Sequence, residues 1–288
     1  MLPLSTFSIV ACDIKIQAWG IAVASKFPAV GAVVPWARAS AGAVATQSFA
    51  NPSFGPRGLE MMGSGLSAEE TLSKLLRRDR AREQRQIGLV DSKGGSATFT
   101  GKSCIDWAGG VRGRGYAIQG NVLASAEVIN RMEHAFLEAK GELPERLFAA
   151  LEAGHHAGGD RRGKQSAALY VAKPKAGYGG HTDRWMDYRV DDHLNPIPRL
   201  GELLELHHLY FDRSPRSERV RLEGRVVKEI QRIMKGLGYY TPTNGEYDDA
   251  TRQALHTFVG NENFEARVDP DQGWIDGPVL EYLLKKFK

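Results

Sequence analysis

Little in this chain points to a disulfide-bonded, membrane or nucleic-acid-binding protein. Of its 288 residues only two are cysteine, Cys12 and Cys104. Two cysteines build no disulfide framework, and neither stands at a metal-ligand spacing, so two reduced, buried thiols in a cytoplasmic protein are expected. No apolar run approaches the ~18 residues that a membrane span needs. Residues 1–5 are too short and lack the basic start of a secretory signal, but they could form a leader that is removed. Dense basic tracts are missing as well. The net formal charge is only +4, and residues 77–85 mix Asp79 and Glu83 among their arginines, as a solvated helix face does. Partners are therefore expected to include neither nucleic acid nor membrane. Metal-ligand spacing is absent from His155-His156 and His207-His208. In Arg189-Val190-Asp191-Asp192-His193 the adjacent carboxylates would point to opposite faces of a strand. Neither a metal nor a cofactor is expected.

What is present is a globular composition, 42% hydrophobic and 25% charged, long enough for one large and one small domain. Strands are predicted at 7–11, 19–25 and 41–46, rich in Ala, Val and Gly as strands packed on both faces are. Glycines break the pattern over 55–65. Ser67-Ala68-Glu69-Glu70 is a capping box, and Leu72, Leu75 and Leu76 continue it as a helix over 68–80. A hairpin at 86–90 and 96–100 turns through Lys93-Gly94-Gly95, and 116–119 is a further strand. Helices follow at 123–139 and 144–153, then strands at 166–171 and 186–190, and a leucine-rich helix at 198–210. Strands lead, helices follow and strands return. That order suggests layered sheets with helices outside, an α+β arrangement, rather than an alternating doubly wound fold. The first domain is thus expected over 1–212, a polar linker over 213–218 and a small three-helix domain over 219–288. Asp248 and Asp276 are the expected N-caps of the last two helices.

Thr6, at the head of Thr6-Phe7-Ser8-Ile9-Val10-Ala11, is the residue with the most chemistry in it. If residues 1–5 were cleaved, its hydroxyl could attack and its new α-amine, with a pKa near 7.7–8.0, could take the proton. Lys26, after the second strand, could tune that amine, with Ser25 beside it. Threonine is equally the β-favouring residue that simply starts a strand. A second candidate is the glycine-rich loop Gly158-Gly159-Asp160-Arg161-Arg162-Gly163. Its guanidiniums suit a carboxylate, or alternatively pair with Asp160 on a solvated surface. A third is the set of amides at strand ends, Gln47, Asn51, Gln119 and Asn121, which could contact a ligand or close turns.

Together these residues resemble an uncharacterised bacterial family placed in the N-terminal-nucleophile (Ntn) hydrolase superfamily, with its proteasome-like fold. The likeness is carried by Thr6-Phe7-Ser8-Ile9-Val10-Ala11-Cys12-Asp13, by Gly20-Ile21-Ala22-Val23-Ala24-Ser25-Lys26-Phe27-Pro28-Ala29-Val30-Gly31 and by Gly42-Ala43-Val44-Ala45-Thr46-Gln47. It continues through Arg85-Gln86, Gln119-Gly120-Asn121, Glu145-Arg146-Leu147, Ala157 to Gly163 and Arg189-Val190-Asp191-Asp192-His193. The resemblance implies a four-layer αββα sandwich and places Thr6 at the superfamily's nucleophile. The tail is similar to peptidoglycan-binding-like modules through Ile230-Gln231, Leu237-Gly238-Tyr239-Tyr240, Gly245-Glu246-Tyr247-Asp248, Ala254-Leu255, Phe258 and Ile275-Asp276. Phe258-Val259 replaces the usual Phe-Gln pair there.

The expectation is an amidohydrolase acting on a small or peptide-like amide. Thr6 and Lys26 are its catalytic candidates, and Ser25, Gln47, Asn121, Asp160, Arg161 and Arg162 its substrate-binding candidates. The alternative is a non-catalytic ligand-binding or scaffold protein on the same fold, with the C-terminal module used for docking or for binding cell-wall fragments. Sheet edges make a homo-oligomer, a homodimer first, the expected assembly.

Overall fold

The computed structural model describes residues 6–212, 214–239 and 241–287. The expected leader at 1–5, Arg213 of the expected linker and Tyr240 of the tail motif lie outside the described residues. The chain divides into two compact units, 1–202 and 203–288.

The first unit opens on two antiparallel strands, β1 (Thr6–Asp13) and β2 (Ala18–Ser25), registered so that Thr6 faces Ser25 and Asp13 faces Ala18. They form the centre of a six-stranded antiparallel sheet. Beyond β1 lie β8 (Tyr116–Gly120) and β7 (Gly109–Gly113), and beyond β2 lie β9 (Ser166–Ala172) and β10 (Arg184–Val190). A second antiparallel sheet runs β3 (Pro35–Arg38), β4 (Gly42–Ser48), β5 (Arg85–Asp91) and β6 (Ser96–Thr100).

Side-chain alternation along β1 sorts its residues onto two faces. Val10 and Cys12 join Trp19, Ile21 and Val23 of β2 and Ala43, Ala45 and Val90 of the second sheet in one buried cluster. Small alanines on the facing strands let the backbones come close enough to bury Trp19 completely. Burial pushes the Cys12 thiol up to about 12, so it is an inert core group. The other face of β1 carries Phe7, which packs towards Gly154 and Gly159. Gly154 lies in α4 (Leu143–His156), and α4 in turn packs with α3 (Glu127–Glu138).

On the second sheet, α1 (Phe54–Gly63) and α2 (Ala68–Arg77) cover Val44, Ile87 and Leu89. The capping box at the start of α2 forms as expected: Ser67 Oγ accepts from Glu70 N at 3.2 Å, and Glu70 Oε2 accepts from Ser67 N at 2.9 Å.

α1 corrects the expectation of a glycine break over 55–65. Its glycines are there for contact, not for turning. A Cβ at Gly55 would lie 2.2 Å from Trp36 Cγ, and one at Gly63 2.1 Å from the Arg38 guanidinium, which donates to the Leu59 carbonyl at 2.7 Å. Gly55→Ala is therefore expected to destabilise the chain by about 1–2 kcal/mol. The clash with the ring core outweighs the gain of up to ~1 kcal/mol in helix propensity. Urea unfolding of the variant measures this, and a stabilised variant would refute it. Strands β3 and β7 also escaped sequence reading, β3 because it is four residues long and β7 because Gly109, Gly110 and Gly113 carry no strand signal.

The second unit holds α6 (Gly224–Gly236), α7 (Asp249–Glu262) and α8 (Gly277–Lys286) around Val227, Ile230, Met234, Leu255, Phe258, Phe264 and Leu283. Leu209, from the leucine-rich helix α5 (Pro196–Phe211), belongs to this core. The expected three-helix description is incomplete. A small antiparallel sheet, β11 (Arg219–Arg221), β13 (Trp274–Asp276) and β12 (Val268–Asp269), is part of the unit. Strands of two or three residues leave no periodicity to read. Gln231, wholly buried, ties α6 to the turn before α7: its Nε2 donates to Asn244 Oδ1 (3.1 Å), Glu246 O (3.0 Å) and Thr251 Oγ1 (2.9 Å). Asp248 caps α7 as expected, accepting from Thr251 N at 2.8 Å. Asp276 stands at the N-cap of α8 but makes no side-chain cap bond, because its carboxylate is turned to Arg267.

Candidate functional site

Thr6 is fully buried, on the β1 face that looks towards the second sheet. Its hydroxyl donates to Ser25 Oγ at 3.3 Å across the β1–β2 pair. Its carbonyl accepts from Asn121 N at 3.0 Å and from Gln47 Nε2 at 3.2 Å. Ser8, two residues on and on the same face, donates to Gln47 Oε1 at 2.6 Å and accepts from Gln119 Nε2 at 2.7 Å.

Around these residues four amide side chains form one continuous network between the sheets. Gln47 Nε2 donates to Gln86 Oε1 at 2.9 Å, and Asn121 Nδ2 donates to the same oxygen at 2.9 Å. Gln86 Nε2 donates to Gly120 O (2.7 Å), Thr100 Oγ1 (2.9 Å) and Gly109 O (3.2 Å). Gln119 Oε1 accepts from Thr98 at 3.3 Å and occupies space that a side chain at Gly88 would fill, since a Cβ there would come within 2.0 Å of it. All four amides are at most 1% exposed. Burying so many polar groups is costly unless they are paired, and one atom is left over: Asn121 Oδ1 has no hydrogen-bond partner among the described residues.

Among the described residues, the groups hydrogen-bonded to these four amides are neutral, and the network can position Thr6 and Ser8.

Sequence reasoning thus placed Thr6, Ser25, Gln47 and Asn121 among the candidates, and these four meet. It missed Ser8 and Gln86 as members. The available signal was a polar side chain at an inward position of an otherwise apolar strand, as in Arg85-Gln86-Ile87-Gly88-Leu89. Asn51 belongs elsewhere. Its Oδ1 accepts from Ser53 N and Oγ at the start of α1, which is turn chemistry.

The other candidates lie at the corner next to Ser25. Asp160 is 4% exposed, and its carboxylate is fully engaged. It accepts from Lys26 N (3.2 Å), from Arg162 N (3.0 Å) and from Arg162 Nε and Nη2 (3.1 and 2.8 Å). Arg162 also donates to Lys26 O at 3.3 Å. Asp160 and Arg162 therefore clamp the backbone that follows β2. The Lys26 side chain is exposed, whereas Thr6 is buried. Arg161 is exposed, with its backbone held by Val122 O at 3.0 Å. Val122, directly after Asn121, adopts φ 53° although it is β-branched, a left-handed conformation that costs about 1–3 kcal/mol and persists only under tertiary constraint. A cavity of about 180 Å³ shares Ser25 and Asp160 with this corner and is lined further by Phe7, His155, Gly159 and Lys164. Burial lowers the His155 pKa, and Lys164 lowers it further. Among the described residues no group of three His, Cys, Asp or Glu side chains is placed to hold a metal ion.

At the neighbouring end of β5, Arg85 Nε donates to Asp79 Oδ2 at 2.8 Å, and Arg85 Nη1 donates to the Phe49 carbonyl. The Arg85 guanidinium holds the Asp79 carboxyl below its usual range. A depressed folded-state pKa means that this contribution to stability is present above the unfolded value near ~3.9. It is lost as pH falls through the folded value. Asp79→Asn should cost about 1–3 kcal/mol at pH 7 and less at pH 3, below the unfolded value. Urea midpoints of both proteins at the two pH values test this, and an equal difference at both would contradict it.

A family model described as "Family of unknown function (DUF1028)" matches residues 6–200. The chain belongs to DUF1028. The crystal structure of the DUF1028 protein SPO2555 from Silicibacter pomeroyi is 30% identical, with a TM-score of 0.65 over 71% of this chain and 89% of that one. The DUF1028 match begins at Thr6, the first residue of β1. Residues 210–283 match a model described as "Putative peptidoglycan binding domain", so this DUF1028 chain carries a second module. No curated protein matches it. No helix among the described residues is long and apolar enough to cross a membrane.

Proposed function

We propose that the first unit is an Ntn-type amidohydrolase of αββα sandwich architecture, with Thr6 as its nucleophile once the Ser5–Thr6 bond is cut. The observation that carries this reading is the surrounding of Thr6. It is a threonine whose carbonyl is pinned by Asn121 and Gln47 and whose hydroxyl donates to Ser25, beside side-chain amides that are themselves neutral. A hydroxyl so placed needs a base, and a released α-amine on the same residue is one.

In the forward step the Thr6 oxygen attacks the substrate carbonyl carbon while its proton passes to the amine. That proton then goes to the departing substrate nitrogen as the C–N bond breaks, leaving an ester on Thr6. Water adds to the ester, and the hydroxyl is restored with release of a carboxylic acid. The net change is amide plus water to acid plus amine. Ser25 and the amides hold the nucleophile. Lys26 and Arg161, both exposed, are the cations assigned to a substrate carboxylate, with the Asp160–Arg162 pair holding the backbone between them.

The second unit is read as a docking module for peptidoglycan fragments, within functional divisions of 1–212, 213–218 and 219–288. We place the protein in the cytoplasm on its two unbridged buried thiols, and read it as a homodimer. Intact-mass measurement of protein that turns over small amides tests the enzyme reading: a chain beginning at Thr6 supports it, and active material retaining Met1 removes it. The full burial of Thr6 favours a second reading, a non-catalytic ligand-binding or scaffold protein. On that reading Ser5 and Thr6 stay joined under every condition.

A further inference from the structure

The second unit holds two adjoining grooves of opposite charge. The first, about 560 Å³, is lined by Glu265, Asp269, Asp271 and Asp276, with His256 and the guanidinium of Arg219 among them. The second, about 310 Å³, is lined by Arg216, Arg219, Arg221, Gln272 and Trp274, with no acid. Arg219 and Trp274 belong to both, and the Arg219 guanidinium lies 3.7 Å from the centre of the indole ring.

Several charges in this region are already used. His256 Nε2 lies 2.9 Å from Asp271 Oδ1, and Asp269 Oδ1 accepts from Gln272 N at 2.8 Å. Glu265 and Arg216 have no partner among the described residues. Two buried atoms on residues lining the first groove also lack a partner among the described residues: Trp274 Nε1, a donor, and Asp276 Oδ1, an acceptor on a residue 2% exposed. Arg267 engages the other oxygen, Asp276 Oδ2, at 2.7 Å, and Arg219 Nε lies 3.9 Å from Oδ1, beyond hydrogen-bond reach. Buried orphans of opposite sense along one groove call for a ligand that brings both an acceptor and a donor.

We propose that this face binds a short zwitterionic peptide. Its free primary amine enters the acidic groove towards Asp276 Oδ1 and Glu265, displacing Arg219 from that side. Its carboxylate sits among Arg216, Arg219 and Arg221, and a peptide carbonyl accepts from Trp274 Nε1. The inference rests on the reading of the second unit as a docking module and specifies what that module recognises, peptide rather than sugar.

The test is equilibrium titration of the full chain with the tripeptide Ala-Ala-Lys, with its C-terminally amidated form, and with its form acetylated on both amines. Each cap is expected to weaken binding by about tenfold or more, the 1.4 kcal/mol of one charged contact. In Arg216→Gln/Arg221→Gln, two exposed positions, amidation should no longer matter, while acetylation still does. Glu265→Gln should blunt the acetylation effect, and Trp274→Phe, which keeps the ring and removes Nε1, should weaken all three peptides. Equal affinity for the three peptides, or no saturable binding up to about 10 mM, overturns the proposal. Retention of the full chain on isolated cell-wall material is measured in parallel. Retention without peptide binding overturns the zwitterion site and leaves the docking reading standing. Peptide binding without retention supports the site and overturns the wall-fragment reading.

Discussion

Replacing Arg267 with Met is expected to unfold the second unit while the first stays folded. Arg267 is 2% exposed and donates from every nitrogen: Nε to Asp276 Oδ2 (2.7 Å), Nη1 to His208 O (2.8 Å) and Asp212 O (2.6 Å), and Nη2 to Ser214 Oγ (2.9 Å). A buried ion pair need not stabilise relative to apolar residues of the same size, but removing one partner strands the other. The Asp276 carboxylate would remain buried without its counter-ion, and two carbonyls would lose their donor. Such half-deletions cost about 3–5 kcal/mol. A unit of this size has little more than that in total, because small domains bury a smaller share of their surface. Hydrogen exchange on the full chain should show loss of protection over 219–287 and unchanged protection over β1, β2 and β8. The double variant Arg267→Met/Asp276→Leu should recover much of the loss, since it leaves no charge stranded. A single variant within ~1 kcal/mol of the parent would show that the pair is not the hub described.

The largest functional effect is expected at Thr6. Once an amide substrate is found, Thr6→Ala should lower turnover by at least ~10³-fold, as removal of a nucleophile does elsewhere. Thr6→Ser, which keeps hydroxyl and amine, should retain measurable activity. The pH profile carries a second signature. The α-amine must be unprotonated to act as base, so the rate should rise with pH through about 7.7–8.0 and fall below it. Gln86→Leu separates positioning from chemistry. It removes the donor to Gly120 O and the acceptor shared by Gln47 and Asn121, so activity should fall without movement of that pH midpoint. Full activity in Thr6→Ala would take Thr6 out of the mechanism.

Helix α2 was legible because its signals are local: Ser67 and Glu70 lie three residues apart and bond to each other, and the leucines follow at helical spacing. Asp248 was legible for the same reason. Thr6 and Ser25 could be paired from sequence because two neighbouring strands joined by a short turn place their outer ends together. What sequence alone determined, then, was the strand-rich start, the amphipathic helices, the existence of a separate tail and the chemical types at the strand ends.

Only tertiary structure decided the rest. Gly55 and Gly63 read as breakers until Trp36 and Arg38 are placed against them. Asp276 reads as a cap until Arg267 competes for its carboxylate. Gln47, Gln86 and Gln119 are far apart in the chain, and nothing local says that their side chains meet; two sheets packed face to face bring them together. The same holds for the second unit, where Arg219 and Arg221 join a groove only when the three-residue strand β11 sets them beside Trp274. Hydrogen-bonding and packing partners within four residues leave a periodicity to read. Partners dozens of residues apart do not, because the contact energy that selects them exists only once the backbone has folded.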